Sequence, residues 1–217
     1  MTLRIPLALW TSFILAFSAL SYSVRFTEGK PDRDQLYKWS TAVGALAQFV
    51  IVALIVYGIA GLGRRRDLFA LRRPTSWRMA GLIALGIAIA MALLVVLLTP
   101  LLQPGREQAL TPKRWEPAHA AAYVGNSLVI SMVAPVVEEL TFRGLGYSLL
   151  ARFGRWTAIL LVGLLFGLAH GLVEALPFLA AFGAMLAYLR SRVDSVYPGM
   201  IVHGAFNAIQ LVIAVAG

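Results

Sequence analysis

The sequence predicts an all-α, polytopic transmembrane helical bundle of about seven spans. Three observations lead to this fold class. First, 59% of the 217 residues are hydrophobic and only 13% are charged, against about 25% charged in an ordinary soluble domain. Second, the apolar residues gather into runs close to the roughly 20 residues that a helix needs to cross hydrocarbon. Third, no run alternates polar with apolar as a lipid-facing barrel strand must. Backbone in lipid has to satisfy its own hydrogen bonds, and helices are the remaining way to do so.

The runs fall at residues 5–24, 39–63, 79–105, 118–137, 156–173, 175–189 and 195–217. The third should end near Pro100, and the sixth is short. The fourth does not stop cleanly but runs into Glu138 and Glu139. The first run follows Arg4 and ends on small residues around Ala19 to Ser21, a pattern also found in cleaved signal peptides. Six further runs favour an uncleaved first helix.

The net charge is +9, and most of the basic residues lie between the apolar runs. Arg64, Arg65, Arg66, Arg72, Arg73 and Arg78 crowd the second loop. The positive-inside rule puts that loop, and with it the N-terminus, in the cytoplasm of a cell inner or plasma membrane. A nucleic-acid partner is not expected, because the basic residues form loops at a membrane surface and no soluble basic face is visible. The partners expected are membrane lipid and a membrane-associated peptide or protein. With no cysteine in the chain, disulfides and thiolate sites are excluded. The tryptophans Trp39, Trp77, Trp115 and Trp156 fall near run ends, as an aromatic belt predicts.

The chain divides at residue 117. Residues 1–117 form N-terminal transmembrane helices with charged loops, and 103–117 is a charged, proline-containing separator. Residues 118–217 hold the intramembrane ionisable groups, which are costly in lipid and usually mark function. Glu139 and Arg143 are four apart and share a helix face. Adjacent Glu138 points about 100° away without a local partner, which suits a general base acting on water. Phe166 and His170 share a second face, and Gly163, Gly167 and Gly171 form a small-residue stripe for close helix approach. His203 and Asn207 project from a third face and can donate hydrogen bonds to one developing oxyanion. Each group has a plainer reading: a charged helix end at the membrane surface, a packed histidine, or polar side chains joining two helices. A single polar cavity accounts for all three groups together.

These segments resemble the three motifs of the CAAX protease and bacteriocin-processing family of intramembrane proteases, also called the CPBP or Abi family. Glu138, Glu139 and Arg143 match EExxxR, Phe166 and His170 match FxxxH, and His203 with Asn207 match HxxxN. The resemblance covers about 118–217. It implies that Glu138 and His170 activate the hydrolytic water and that His203 and Asn207 stabilise the oxyanion. It also implies that Glu139 and Arg143 position the catalytic helix. Some members are described as zinc enzymes and others as glutamate proteases. Glu138, His170 and His203 could furnish three zinc ligands, but no His-Glu-x-x-His segment is present, so a metal-free site is favoured. The function expected is an intramembrane endopeptidase acting on a membrane-associated or lipidated substrate. The alternatives are a non-catalytic immunity or scaffold protein of the same fold, or a proton-coupled carrier. A carrier built on inverted repeats has little support, because no internal repeat is seen. His119 is expected at the interface, Glu174 in a loop, and Asn126 and Ser127 are further candidates to line the cavity.

Overall fold

The structure, a computed structural model, describes residues 3–29, 32–61, 65–102, 107, 112 and 114–216. Lys30, Arg64, Gly217, the ends of the second and third apolar runs and most of the 103–117 separator lie outside the described residues. Among the described residues, seven long helices organise the fold: α1 (Arg4–Glu28), α2 (Trp39–Ala60), α3 (Trp77–Leu98), α4 (Pro117–Phe153), α5 (Arg155–Ala169), α6 (Leu176–Val193) and α7 (Tyr197–Ala216). No strand occurs among the described residues, so the fold class is as expected.

The count of about seven spans is only roughly matched. Among the described residues five helices, α1 to α4 and α7, are long and apolar enough to cross a membrane. Helix α5 has 15 residues, about 22 Å at 1.5 Å per residue, which is short of the roughly 30 Å hydrocarbon core. It ends at Ala169 because Gly171 turns the chain with a φ of +64°, a conformation glycine adopts without strain. Helix α6 carries Arg190 and Arg192 in its last turn. Both helices are instead packed within the bundle, where α6 lies against α3, α5 and α7.

Helix α4 also runs further than the sequence implied. It continues through Glu138 and Glu139 to Phe153, 37 residues in all, about 55 Å long. It is not uniform, and two π-helical segments interrupt it at Val129–Val133 and Leu140–Gly146. The first has a cause in the sequence. Pro135 has no N–H to offer the carbonyl four residues back, and its ring crowds that carbonyl, which belongs to Ser131. Freed backbone groups at membrane depth need other partners or protein cover. Helix α7 supplies both, since the Asn207 amide donates to the Ile130 carbonyl at 2.9 Å and Gly204 leaves room for the Ser131 carbonyl. A methyl on Gly204 would stand 2.6 Å from that oxygen. At the second segment, the Thr141 carbonyl accepts from the indole N–H of Trp10 at 3.0 Å.

Close approach elsewhere also rests on glycine. A methyl on Gly163 would lie 2.6 Å from the Ala184 nitrogen, and one on Gly183 would lie 3.0 Å from the Gly163 Cα. Gly163 and Gly167 thus serve the α5–α6 contact, as the stripe implied. Gly171 does not continue the stripe, because it lies past the helix end and packs on the Ser21 backbone of α1. The core fills with Trp10, Ile14, Val56, Ile87, Phe142 and Phe166, drawn from α1 through α5. Helix α1 is therefore an integral part of the bundle. Trp39 and Trp77 open α2 and α3, Trp115 precedes α4 and Trp156 lies at the start of α5, all four exposed as an aromatic belt requires.

The glycine contacts give a direct test. Gly163→Val should destabilise the detergent-solubilised protein by about 1–3 kcal/mol, the usual range for overpacking, read as a drop in thermal midpoint. Gly86→Ala, where nothing lies within 4 Å, should leave the midpoint unchanged or raise it.

Candidate active site

Helices α4, α5 and α7 bring the motif residues together. Glu138, Phe166, His170, His203 and Asn207 line one cavity of about 330 Å³. Glu139 and Arg143 lie behind it, both fully buried. One Arg143 nitrogen donates to Glu139 Oε1 at 2.9 Å and another to the Gly183 carbonyl at 3.1 Å. The guanidinium also covers the face of Phe166 at 4.3 Å, a cation–π contact. The same Glu139 oxygen lies 3.2 Å from His203 Nδ1. Glu139 can approach so closely because α7 has no side chain opposite it: a methyl on Gly199 would stand 2.5 Å from Oε2.

Glu138 follows a different course from its neighbour. Its side chain keeps 18% exposure, and its Oε2 lies 3.5 Å from His203 Nε2. The His203 ring thus stands between two carboxylates and is wedged by Phe166 and Phe182, edge to face at 5.7 and 5.3 Å. A carboxylate only accepts, so the Nδ1 contact with Glu139 places a proton on that nitrogen when it forms a hydrogen bond. The residue that tethers the carboxylate pair therefore also sets the ring that meets Glu138.

His170 caps the C-terminus of α5, three residues before the end of the apolar run at 156–173. Its Nδ1 lies 2.7 Å from the Phe166 carbonyl. A carbonyl cannot donate, so Nδ1 carries the hydrogen and Nε2 of the neutral ring keeps its lone pair. The Phe166 ring packs on the imidazole at 4.7 Å, so the aromatic member of the second motif orients the histidine by both its ring and its backbone. Asn207 lines the cavity, but one of its amide hydrogens is committed to Ile130; at most one is available to a ligand.

Glu138 and His170 also border a second cavity, of about 480 Å³, walled by Phe13, Phe17 and Ser21 of α1 and by Phe49 and Val52 of α2. Glu138 and His170 thus lie between two chambers, each with mixed polar and apolar walls. No feature of the sequence marks α1 and α2 as the source of those walls. The sequence reading also missed Trp10, Phe182, Gly199 and Glu107. Glu107 lines the smaller cavity although it belongs to the charged separator, where a buried role has no sequence signature. Asn126 does not line either cavity; its amide donates to the Leu36, Lys38 and Ala122 carbonyls and holds the start of α2. Ser127 donates to the Tyr123 carbonyl. His119 is exposed beside Glu116 at 3.1 Å.

The zinc set considered from the sequence was Glu138, His170 and His203. Among the described residues no group of three His, Asp or Glu side chains is placed as a metal site requires.

An all-helical membrane bundle whose cavity is lined by glutamate, two histidines and asparagine defines the class of intramembrane proteins with a buried polar site. The sequence comparison is more specific. Residues 120–209 match the model of a family described as type II CAAX prenyl endopeptidase Rce1-like. This stretch spans all three motifs noted in the sequence. No curated protein and no solved structure matches the chain.

The buried pair predicts a clear asymmetry. Arg143→Met strands the Glu139 carboxylate and should cost about 3–5 kcal/mol of stability, whereas Arg143→Met combined with Glu139→Gln should recover much of that loss. Thermal unfolding of the purified single and double variants measures both.

Proposed function

We propose that the protein is an intramembrane endopeptidase that hydrolyses a peptide bond in a membrane-associated or lipidated peptide. One observation carries the reading: Glu138, His170, His203 and Asn207, from three helices, line the same cavity. The match of residues 120–209 to a CAAX endopeptidase family supports the same chemistry.

In this reading Glu138 takes a proton from a water molecule, and His170, through Nε2, orients that water. The water oxygen attacks the scissile carbonyl carbon. The oxygen of the resulting tetrahedral intermediate accepts hydrogen bonds from the uncommitted Asn207 N–H and from His203 Nε2, in the ring form that carries a hydrogen on both nitrogens. Such donors act most strongly where water is excluded. The intermediate collapses as the C–N bond breaks, and Glu138 returns its proton to the leaving nitrogen. The products are a carboxylate and an amine. Glu139 and Arg143 act behind the site as positioning residues, fixing His203 and the helix that carries Glu138. No step calls on a metal. The arginines of the segment between α2 and α3 favour a cytoplasmic position for that segment and with it for the N-terminus.

Glu138→Gln keeps the side-chain shape but cannot accept the proton; it should lower kcat by about 10²–10⁴-fold on a membrane-anchored peptide substrate. A chelator should leave wild-type turnover within twofold. Cleavage that survives Glu138→Gln would rule out the assigned base, and activity lost to chelator and restored by zinc would rule out the metal-free mechanism. The absence of native cysteine makes orientation measurable. Arg66→Cys should react with an impermeant thiol reagent only when the cytoplasmic face is opened.

A further inference from the structure

Glu107 is a fully buried carboxylate that the mechanism above does not use. Its surroundings are specific. Oε1 accepts from the Val173 backbone N–H at 2.9 Å and lies 3.3 Å from an Arg25 nitrogen, and Oε2 accepts from the Ala175 N–H at 2.9 Å. Val173 and Ala175 lie in the turn that leads from His170 to α6, three and five residues after the imidazole. Helix α1 also grips this turn. The Tyr22 hydroxyl donates to the Leu172 carbonyl at 3.0 Å, and Gly171 lies against the Ser21 backbone.

We infer that Glu107 is a positioning residue of the site: with Arg25 it clasps the turn 171–175 and thereby fixes His170 at the cavity wall. The inference rests on the proposed role of His170, but its physical basis is separate. A turn between two tightly packed helices exposes backbone N–H groups that neither helix can satisfy. Without a partner, two such groups at a buried site are costly. One carboxylate accepts from both, and its charge suits the N-terminal end of α6. Arg25 balances that charge at 17% side-chain exposure. Because Gly171 can turn either way, the helix end at Ala169 does not by itself fix the imidazole. The hydrogen bond to Phe166 sets the ring, and the clasp sets the backbone that carries it. Glu107 also forms part of the cavity wall.

The test compares wild type with Glu107→Gln, Glu107→Asp and Arg25→Gln in nanodiscs. A glutamine offers one acceptor oxygen where two N–H groups need one each, and aspartate is one methylene too short to span both. Two readouts do not depend on activity. One is hydrogen exchange of the turn 171–175. The other is the ¹⁵N spectrum of the His170 ring, which reports whether the hydrogen stays on Nδ1. Both Glu107 variants should speed exchange in the turn at least tenfold and turn the single His170 tautomer into a mixture. In peptide cleavage they should lower kcat by about tenfold to hundredfold with KM nearly unchanged, as expected for misplacement of a reacting group. Arg25→Gln should show the same changes to a smaller degree. Exchange and tautomer unchanged in the folded Glu107 variants would overturn the inference. If wild type cleaves no peptide but the variants still free the turn and the ring, the clasp stands and the protease reading fails.

Discussion

The Arg143–Glu139 pair is the contact on which the rest of the site depends. Two adjacent carboxylates inside a membrane bundle are tolerable only if at least one is neutralised in place, since an unpaired charge there costs several kcal/mol. Arg143 does this with no solvent, and the Gly183 carbonyl and the Phe166 face take up part of its remaining donor capacity. The consequences spread outward. Gly199 must lack a side chain so that α7 can close on Glu139. Gly163 and Gly183 must allow α5 and α6 to touch so that the Gly183 carbonyl reaches the guanidinium. Phe166 serves three partners at once: Arg143, His170 and His203.

Irregular backbone does the remaining placement. Helix α4 carries the carboxylates on a stretch bounded by two π segments, which shift the helical register and so change which way side chains point. In lipid, such segments would expose unsatisfied carbonyls. Here a side chain from another helix covers each one: Asn207 from α7 at Ile130 and Trp10 from α1 at Thr141. Asn207 is therefore both part of the cavity wall and a partner of the helix that bears Glu138. This doubles the cost of losing it and complicates any reading of an Asn207 variant as a purely catalytic defect.

Much of this was legible in the sequence, for definite reasons. The helical class follows from long apolar runs, because lipid leaves few other choices. The Glu139–Arg143 pair follows from four-residue spacing, which holds locally whatever the tertiary fold. The fourth apolar run, 118–137, marked the first part of α4 but not its continuation through the glutamates to Phe153. Periodicity cannot see a π segment, and charge at Glu138 looks the same at a helix end as in a helix middle. The count of about seven spans is only roughly matched, because α5 is shorter than a full crossing and α6 ends in two arginines. Long-range partners left no trace at all. Nothing about Glu107 in a charged separator announces a buried clasp on a turn more than sixty residues away. Trp10 in a uniformly apolar helix gives no sign of its bond to Thr141.

Stability alone does not account for the ion pair. A buried salt bridge is often no better for folding than a well-packed apolar pair of similar size, because desolvation offsets the Coulomb attraction. An apolar pair at residues 139 and 143 could fill the same space and would spare two buried charges. It could not accept a hydrogen bond from His203 Nδ1. That contact fixes the imidazole edge and leaves Nε2 3.5 Å from the Glu138 carboxylate, where a ring turned by its own torsions would present either nitrogen or neither. Under the proposed chemistry, the oxyanion donor must be in place before the intermediate forms, since reorganisation at that moment would forfeit its benefit. The buried charges are thus best understood as the means by which α4 sets the orientation of a donor on α7. The mechanical chain is Arg143 to Glu139 to His203, with Glu138 free to move protons because its neighbour is not.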